Sequence, residues 1–452
     1  MRINFFAAAV MTATTLFASC NRDKDDKNPN AGEGKPTTIT VSFTFPRSAQ
    51  TRATADPNAS AEEAMVNTVD VFIYTETGYF LSHTHLVAAD LDQTTPTANA
   101  DVYVVRERIQ TTTGAKSVYA GVNLPSSIVS AIIDQPAGTL ATVVRDVTSN
   151  MASVADMNFT MFCTEGVNRT FVDNSSAPAN QVTLQCQRLV AKITVELDGA
   201  ASILGADAML ANLSFAVNNY NKKIFLLQGD APYRKDPNWA ISGYLSGDFG
   251  TTLPGDYLRI KNSKPHDSPT PYPVLHPFYA AENSSEGKRK KEITRVTVRG
   301  AFVPFNICED IVVNSFGITD KSAVLTPRTI WMVTKSVALD IGSASAPYFF
   351  DNYSSVERFR VKHSLLPGEI IEYTDGFCYW DIFLNKTPAD TENKWDVLRN
   401  DYYKCNITKI LVPGRNVSEV PDPEETPDNS ADITVTIEIL FWNLVSSNYE
   451  LE

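Results

Sequence analysis

Ile39-Thr40-Val41-Ser42-Phe43-Thr44-Phe45 and Ile433-Thr434-Val435-Thr436-Ile437-Glu438-Ile439, at opposite ends of the chain, are nearly the same strand. Each sets large apolar side chains at every second position, with hydroxyl or acidic groups between them. That is the period-two pattern of a strand with one buried face. Both stand apart from the body of the sequence. The first lies between a charged tether, Asn21–Asn30, and a Ser/Ala/Thr/Asn-rich stretch, Arg47–Ala61. The second follows an acidic, proline-rich linker, Glu419-Val420-Pro421-Asp422-Pro423-Glu424-Glu425-Thr426-Pro427, whose composition predicts a solvated, mobile spacer. A lone amphipathic strand needs a sheet edge to bury its apolar face and satisfy its backbone. Two interchangeable strands predict one groove that either can fill. In one reading the first strand fills the groove until a protease cuts after Arg47 or Arg52, and a neighbour's C-terminal strand then takes its place. In the other, both strands sit in their own chain's sheets.

The pattern recurs between these ends in Val69-Asp70-Val71-Phe72-Ile73-Tyr74, Ser117-Val118-Tyr119-Ala120-Gly121-Val122, Val190-Ala191-Lys192-Ile193-Thr194-Val195-Glu196-Leu197 and Ile293-Thr294-Arg295-Val296-Thr297-Val298. With 25 Pro and 21 Gly as punctuation, long helices are scarce. Ser126–Ile133 and Leu204–Leu213 are the modest helical candidates. Strands followed by strands, without helical alternation, predict an all-β chain of antiparallel sandwiches. Asn219–Lys291 and Ser315–Thr374 read as long irregular insertions in the second half, and there is no strict internal repeat.

The chain has 452 residues, 52 acidic and 39 basic, for a net charge of -13. That length suits two or three domains. The charge excludes a nucleic-acid partner, because nothing would neutralise a phosphate backbone. Met1-Arg2, the apolar run Ile3–Phe17 and Ala18-Ser19-Cys20 read as a secretory signal over 1–19, too short to span a bilayer. A cysteine at the first mature position makes Cys20 the expected lipid site; an ordinary signal with a cysteine nearby is the alternative. Five other cysteines remain, Cys163, Cys186, Cys308, Cys378 and Cys405, an odd number that cannot all pair within the chain. Cys163 with Cys186, and Cys378 with Cys405, lie on segments able to be neighbouring strands, which leaves their pairing open.

Catalytic signatures are absent. There is no G-x-S-x-G, H-E-x-x-H, phosphate-cradling loop or zinc spacing. His83-Thr84-His85 would put two imidazoles on one strand face, with no third ligand identifiable. Glu62-Glu63, Glu424-Glu425 and Asp375 near Asp381 are carboxylate pairs of the kind that chance supplies in an acidic chain. Lys288-Arg289-Lys290-Lys291 reads as a solvated turn or, alternatively, a patch for an anionic partner. Tyr373, Phe377, Tyr379, Trp380 and Phe383 alternate as strand core would; a sugar platform is the rival reading. No enzyme, catalytic residue, metal or cofactor is expected.

Several segments, in order along the chain, resemble the fimbrillin family, subunits of the protease-assembled (type V) fimbriae of Bacteroidales. They are Val118-Tyr119-Ala120-Gly121-Val122-Asn123-Leu124-Pro125, Arg188-Leu189-Val190-Ala191-Lys192-Ile193, Trp395 to Tyr403 with Asn406-Ile407-Thr408-Lys409-Ile410 and Pro413-Gly414, and the closing Ile433 to Trp442. The acidic cluster after Cys20 is similar to the surface-display signal of Bacteroidetes lipoproteins. The resemblance implies two transthyretin-like β-sandwich domains, over 53–187 and 188–431, the second carrying the insertions and the acidic linker. It implies a lipidated propeptide with a removable strand over 20–52 and a donor strand over 432–452. Cys20 matches the lipid site. Arg52 and Ala53 match the cleavage position better than Arg47. Ile433, Val435, Ile437, Ile439 and Trp442 match the donor strand. Implied partners are other fimbrial subunits in a homo- or hetero-polymer, an Arg-specific protease, the outer membrane through the precursor's lipid, and a ligand on a host or bacterial surface. A shaft subunit is favoured by the terminal donor strand. A tip or accessory adhesin and a monomeric surface glycan-binding lipoprotein are the alternatives.

Overall fold

The computed structural model describes residues 34–46, 63, 65–94, 100–142, 144–146, 152–153, 158–203, 208–228, 236–239, 249–252, 254–305, 307–308, 326–337, 347–385, 394–427 and 433–441. The first half contains β1 (Pro36–Pro46), β2 (Thr68–Thr75), β3 (Phe80–Val87), β4 (Leu91–Gln93), β5 (Ala100–Val105), β6 (Ile109–Thr112), β7 (Gly114–Val122), α1 (Ser126–Ile132), α2 (Thr139–Thr142), β8 (Val144–Asp146), β9 (Ala152–Ser153), β10 (Asn158–Phe159), β11 (Met161–Cys163), β12 (Val167–Phe171) and β13 (Gln181–Arg188). The second half contains β14 (Val190–Ile203), β15 (Ala208–Asn221), β16 (Lys223–Phe225), β17 (Phe249–Thr251), β18 (Leu258–Arg259), β19 (Pro277–Ala281), β20 (Arg295–Pro304), β21 (Ile330–Val333), β22 (Tyr348–Phe350), α3 (Tyr353–Lys362), β23 (Ile370–Tyr373), β24 (Phe377–Phe383), β25 (Asp401–Ile410) and β26 (Ile433–Phe441).

The protein is mostly β, and two large sheets carry it. The first runs β3-β2-β7-β11-β13-β1-β5-β4, with β12 beside β7 and β6 beside β1. The second runs β24-β20-β15-β19-β14-β25-β26, with β17 and β18 beside β15. Each has its own apolar core, one around Phe72, Phe162 and Leu184, the other around Phe215, Trp380 and Ile407. Neither sheet is wholly antiparallel, contrary to expectation. β1 runs parallel to β13, and β14 parallel to β25. The partners in each pair lie far apart in sequence, so the chain between them is long enough for the crossover that parallel pairing requires.

Ser126–Ile132 is helical as read, burying Ile128 and Ile132. Of the Leu204–Leu213 candidate, 204–207 lie outside the described residues, and the remainder is strand rather than helix, since β15 begins at Ala208. The misreading has a physical cause. β15 carries a bulge between Ala211 and Ser214 in its pairing with β20, with Asn212 at φ 54°. The extra residue shifts the phase, so Leu210 and Leu213, three apart, both face the core, as helical spacing would have them.

Ser315–Thr374 is likewise not wholly irregular. β22-β21-β23 form a three-stranded sheet. α3 packs Val356 and Phe359 beside Val333, Tyr348 and Phe350 of that sheet. Asn352 caps the helix by accepting from the Ser355 backbone N–H, and Arg360 and Lys362 sit in its last turn, where the helix dipole favours cations.

All five described cysteines are free thiols and buried. Cys163 and Cys186 do face each other across β11 and β13. Cys378 on β24 and Cys405 on β25 are separated by four strands of the second sheet's order, so they are not neighbours. Burial pushes the Cys163 and Cys405 thiols up to about 12 and the Cys308 thiol up to about 11, which removes the reactive thiolate. Iodoacetamide at mildly alkaline pH is therefore expected to leave these five unmodified in the native protein and to alkylate all five in denaturant, read by peptide mass spectrometry. Any of the five resisting alkylation in denaturant without reductant would show a disulfide instead.

Candidate functional site

Both end strands sit in sheets of their own chain, β1 in the first and β26 in the second. β1 is an interior strand, not an appendage. On one side Thr40–Thr44 pair with Gln181–Gln185 of β13; on the other, Ser42–Pro46 pair with β5 and Pro36–Ile39 with β6. Ile39, Val41, Phe43 and Phe45 point into the first core and are 0–2% exposed. Phe45 meets the Tyr103 ring edge-on at 5.7 Å. On the opposite face the hydroxyls bind across the pairing: Ser42 Oγ lies 2.8 Å from Thr183 Oγ1, and Thr37 Oγ1 donates to the Val172 carbonyl at 2.8 Å. Buried Asn180 locks the strand's start by donating to Thr37 Oγ1 and to the Thr38 carbonyl. Gly34, at φ 71°, lets the incoming chain pass so close to Thr113 that a Cβ would lie 2.2 Å from its carbonyl oxygen.

β26 sits at the edge of the second sheet, paired antiparallel with β25 from Ile410↔Ile433 to Asp401↔Phe441. It has one strand neighbour, so half of its backbone groups face no partner strand among the described residues. Val435 and Ile437 are only half-buried against the second core, and Thr436 is exposed. Cys20, Arg47, Arg52, Ala53 and Trp442 lie outside the described residues.

The acidic linker is not a free spacer, and Lys288–Lys291 is not a solvated turn. The two meet. The Lys290 N–H donates to the Glu425 carbonyl at 2.8 Å, and the Lys291 N–H to the Pro423 carbonyl at 3.1 Å. Arg289 Nη1 lies 3.2 Å from Glu424, Lys290 Nζ 3.5 Å from Glu425, and Lys291 Nζ also pairs with Glu424. Lys288 turns inward to Asp396 and over the Trp239 ring. Composition alone misses this because both segments look soluble by themselves; their complementary charge acts only once the fold brings them together. Upstream, Tyr379 and Arg415 exchange backbone hydrogen bonds at 2.8 and 2.9 Å, and Tyr373 Oη donates to the Gly414 carbonyl at 3.0 Å. A Cβ on Gly414 would meet the Tyr379 carbonyl oxygen at 2.2 Å. The path from β25 to Pro427 is thus tied down twice before β26.

Glu63, read in the sequence as half of a chance carboxylate pair, is a buried junction residue. Arg188, fully buried, donates through Nε and Nη2 to the Glu63 carbonyl at 3.2 and 2.9 Å. Lys192 Nζ pairs with its carboxylate at 2.9 Å, and Tyr279 Oη donates to it at 2.6 Å. Arg188 and Lys192 are the charged residues of the Arg188–Ile193 segment singled out above, and both grip the one acid. Burial lowers the Arg188 guanidinium to about 10, with Glu63 opposing the shift. Nearby, Arg399 binds Glu282 and the carbonyls of Phe225 and Leu226.

The other candidate groups have structural partners. His83 Nε2 and His85 Nδ1 each lie 2.8 Å from one oxygen of buried Asp70. Among the described residues no group of three or more such side chains is arranged to hold a metal. Asp381 serves Thr297, Arg295 and Arg415. The aromatic run divides, with Tyr373 and Trp380 in the core and Phe377, Tyr379 and Phe383 on other, half-buried positions. No described helix is long and apolar enough to cross a membrane.

Two family models match the chain. Major fimbrial subunit protein (FimA) covers residues 37–183, and Major fimbrial subunit protein type IV, Fimbrillin, C-terminal, covers 371–448. Among solved structures, a fimbrillin from Porphyromonas gingivalis aligns over 91% of this chain and 99% of its own, at 14% identity and a TM-score of 0.48. A fimbrial assembly protein from Parabacteroides distasonis aligns over 90% and 100%, at 13% identity and 0.40. A tip fimbrial protein from Porphyromonas gingivalis, truncated at its C-terminus, aligns over 90% and 100%, at 12% identity and 0.39. Among curated proteins, none matches.

Two measurements probe this geometry. Phe43→Ala in the uncleaved chain should cost about 3–5 kcal/mol, read by urea unfolding, because it empties a closed core position. Glu424→Lys with Glu425→Lys should raise amide exchange at Lys290 and Lys291 while leaving the urea midpoint nearly unchanged, since both acids are largely exposed. Lys291 holds the Glu424 carboxyl below the usual carboxylate range. The contact is therefore present at neutral pH and lost in acid, as the pH falls through that lowered value.

Proposed function

This chain belongs to the fimbrillin family, and from that premise we propose that it is a structural subunit of a surface fimbrium. In this reading it is exported as a lipoprotein through Cys20, cleaved after Arg52, and joined to its neighbours by exchange of the C-terminal strand. The family supports a fimbrial subunit, structural or tip, with other fimbrial subunits as partners at the cell surface and no enzymatic role. The finer steps are the proposal.

One observation carries it: an interior strand of the first sheet comes from the segment next to the proposed cleavage site. If the chain were cut after Arg52, β1 would no longer be covalently tied to the sheet. Its four apolar side chains, at about 1.5–3 kcal/mol each, represent roughly 6–12 kcal/mol of burial. Their departure would leave an apolar cleft between β13 on one side and β5 and β6 on the other, with both edges unpaired. Arg47 directly follows the seated strand, whereas Arg52 stands clear of its last residue, Pro46, by six positions. This supports Arg52-Ala53 as the cleaved bond.

β26 is suited to refill such a cleft. Ile433, Val435, Ile437 and Ile439 repeat the spacing of Ile39, Val41, Phe43 and Phe45. At its own edge β26 has one strand neighbour and two half-buried anchors; in a neighbour's groove it would gain a second neighbour and complete burial. The joint would be a main-chain ladder on both sides. A tip or accessory role is the second reading, favoured by the β22-β21-β23 sheet with α3, an additional layer that a joint between subunits does not require.

Arg-specific protease added to purified precursor should produce ladders that resist SDS at room temperature. Arg52→Ala, and deletion of residues 432–452, should each abolish them. Cleaved protein that stays monomeric at high concentration would overturn strand exchange and favour the monomeric glycan-binding lipoprotein.

A further inference from the structure

The bulge of β15 has a consequence on the face away from the core. Ser214, just past the bulge, is directly opposite Arg259 of β18 on one side and directly opposite Arg299 of β20 on the other. Residues directly opposite across antiparallel strands share a face and bring their Cβ atoms within about 4.5–5.5 Å. The result is a row, Arg259-Ser214-Arg299, with two like charges flanking one hydroxyl.

Aromatic rings hold both guanidinium groups. The Arg299 guanidinium stacks on Tyr257 at 4.2 Å and on Phe377 at 4.8 Å, and Arg259 stacks on Tyr272 at 4.6 Å. Among the described residues no carboxylate pairs with Arg259. Ser214 is 5% exposed, and its Oγ is buried without a hydrogen-bond partner. A buried unsatisfied hydroxyl typically costs about 1–3 kcal/mol, which calls for an explanation in a ligand or in strain.

Over this row lies a cavity of about 450 Å³, lined also by Asn212, His266 and Asp267. That volume suits a small ligand. His266 is pinned above the bulge: its N–H donates to Asn212 Oδ1 at 3.1 Å, and its Nδ1 lies 3.0 Å from Asn212 Nδ2. Asp267 is exposed on the rim. Guanidinium forks recognise carboxylates with planar, paired hydrogen bonds. An acid on the rim, with Tyr257 and Tyr272 also in the lining, suits a polyol. A bare anion would use the arginines but gain nothing from Asp267.

We propose that this cavity binds an acidic saccharide, with the sugar carboxylate taken by Arg259, Ser214 and Arg299 and the ring hydroxyls by Asp267 and the flanking tyrosines. The site belongs to the second sheet and the 254–276 segment, so it stands whether or not β1 is exchanged.

Calorimetric titration of the full chain with N-acetylneuraminic acid and with glucuronic acid tests it, with glucose and inorganic sulfate as comparison arms. At least one acidic sugar should bind, and more tightly than either comparison. Arg259→Gln should weaken that binding about tenfold or more, because it removes a charge-assisted contact from an exposed side chain. Ser214→Ala is the decisive variant. It should leave the unliganded melting temperature unchanged or raised, since it deletes an unsatisfied group, while still weakening sugar binding. Failure of both acids to bind, binding of glucose or sulfate as tight as the sugars, or sugar affinity unchanged in both variants would each overturn the proposal.

Discussion

A strand inside a sheet must be hydrogen-bonded along both edges and covered on its apolar face, and the first sheet obtains its β1 from the segment that precedes all its other strands. The pairing of β1 with β13, β5 and β6 closes what would otherwise be two open edges and a slot for four large side chains. The rest of the first core depends on that closure, because Leu184 of β13 pairs with Phe43, and Val105 of β5 caps the same side. Glu63 marks where the dependence ends. Held by Arg188, Lys192 and Tyr279, it ties the chain to both halves downstream of Arg52. Loss of everything before Arg52 would leave β2 and the strands after it anchored.

The second half shows the converse arrangement, a strand with few ties on a path that is firmly held. Gly414 and Arg415 lock onto β23 and β24, and Pro423 and Glu425 lock onto the basic turn. The contacts at the basic turn include main-chain hydrogen bonds as well as exposed ion pairs, so salt weakens the latch without removing it.

Much of this fold was legible in the sequence, and the failures share a cause. Val69–Tyr74, Ser117–Val122 and Val190–Leu197 fall within β2, β7 and β14, because period two is written into every residue of a strand with one buried face. The bulge at Asn212 was not legible, since one extra residue turns period two into an apparent period of three. The linker latch, the Glu63 junction and the Arg259-Ser214-Arg299 row were not legible either. Each is made from segments far apart in the chain, and no local pattern says which of them will meet. Local periodicity reports which face is buried; it cannot report which distant charges will meet.

The end strands match in spacing but not in volume, and this bears on the order of events in the proposed assembly. Phe43 and Phe45 shape two positions of the groove, where the C-terminal strand offers Ile437 and Ile439. A smaller side chain in a slot formed around phenylalanine leaves unfilled space, which costs roughly 24 cal/mol per Å³ of residual cavity. The leader also enjoys the high effective concentration of a segment on the same chain, whereas a neighbour's strand must be brought from solution. Both terms favour β1 over any incoming strand for as long as β1 remains attached. Cutting the chain removes the second advantage, and diffusion of the freed leader then removes the first. In that scheme proteolysis acts as the switch: the strand that fits better holds the groove closed until cleavage, and the strand that fits adequately then joins one subunit to the next.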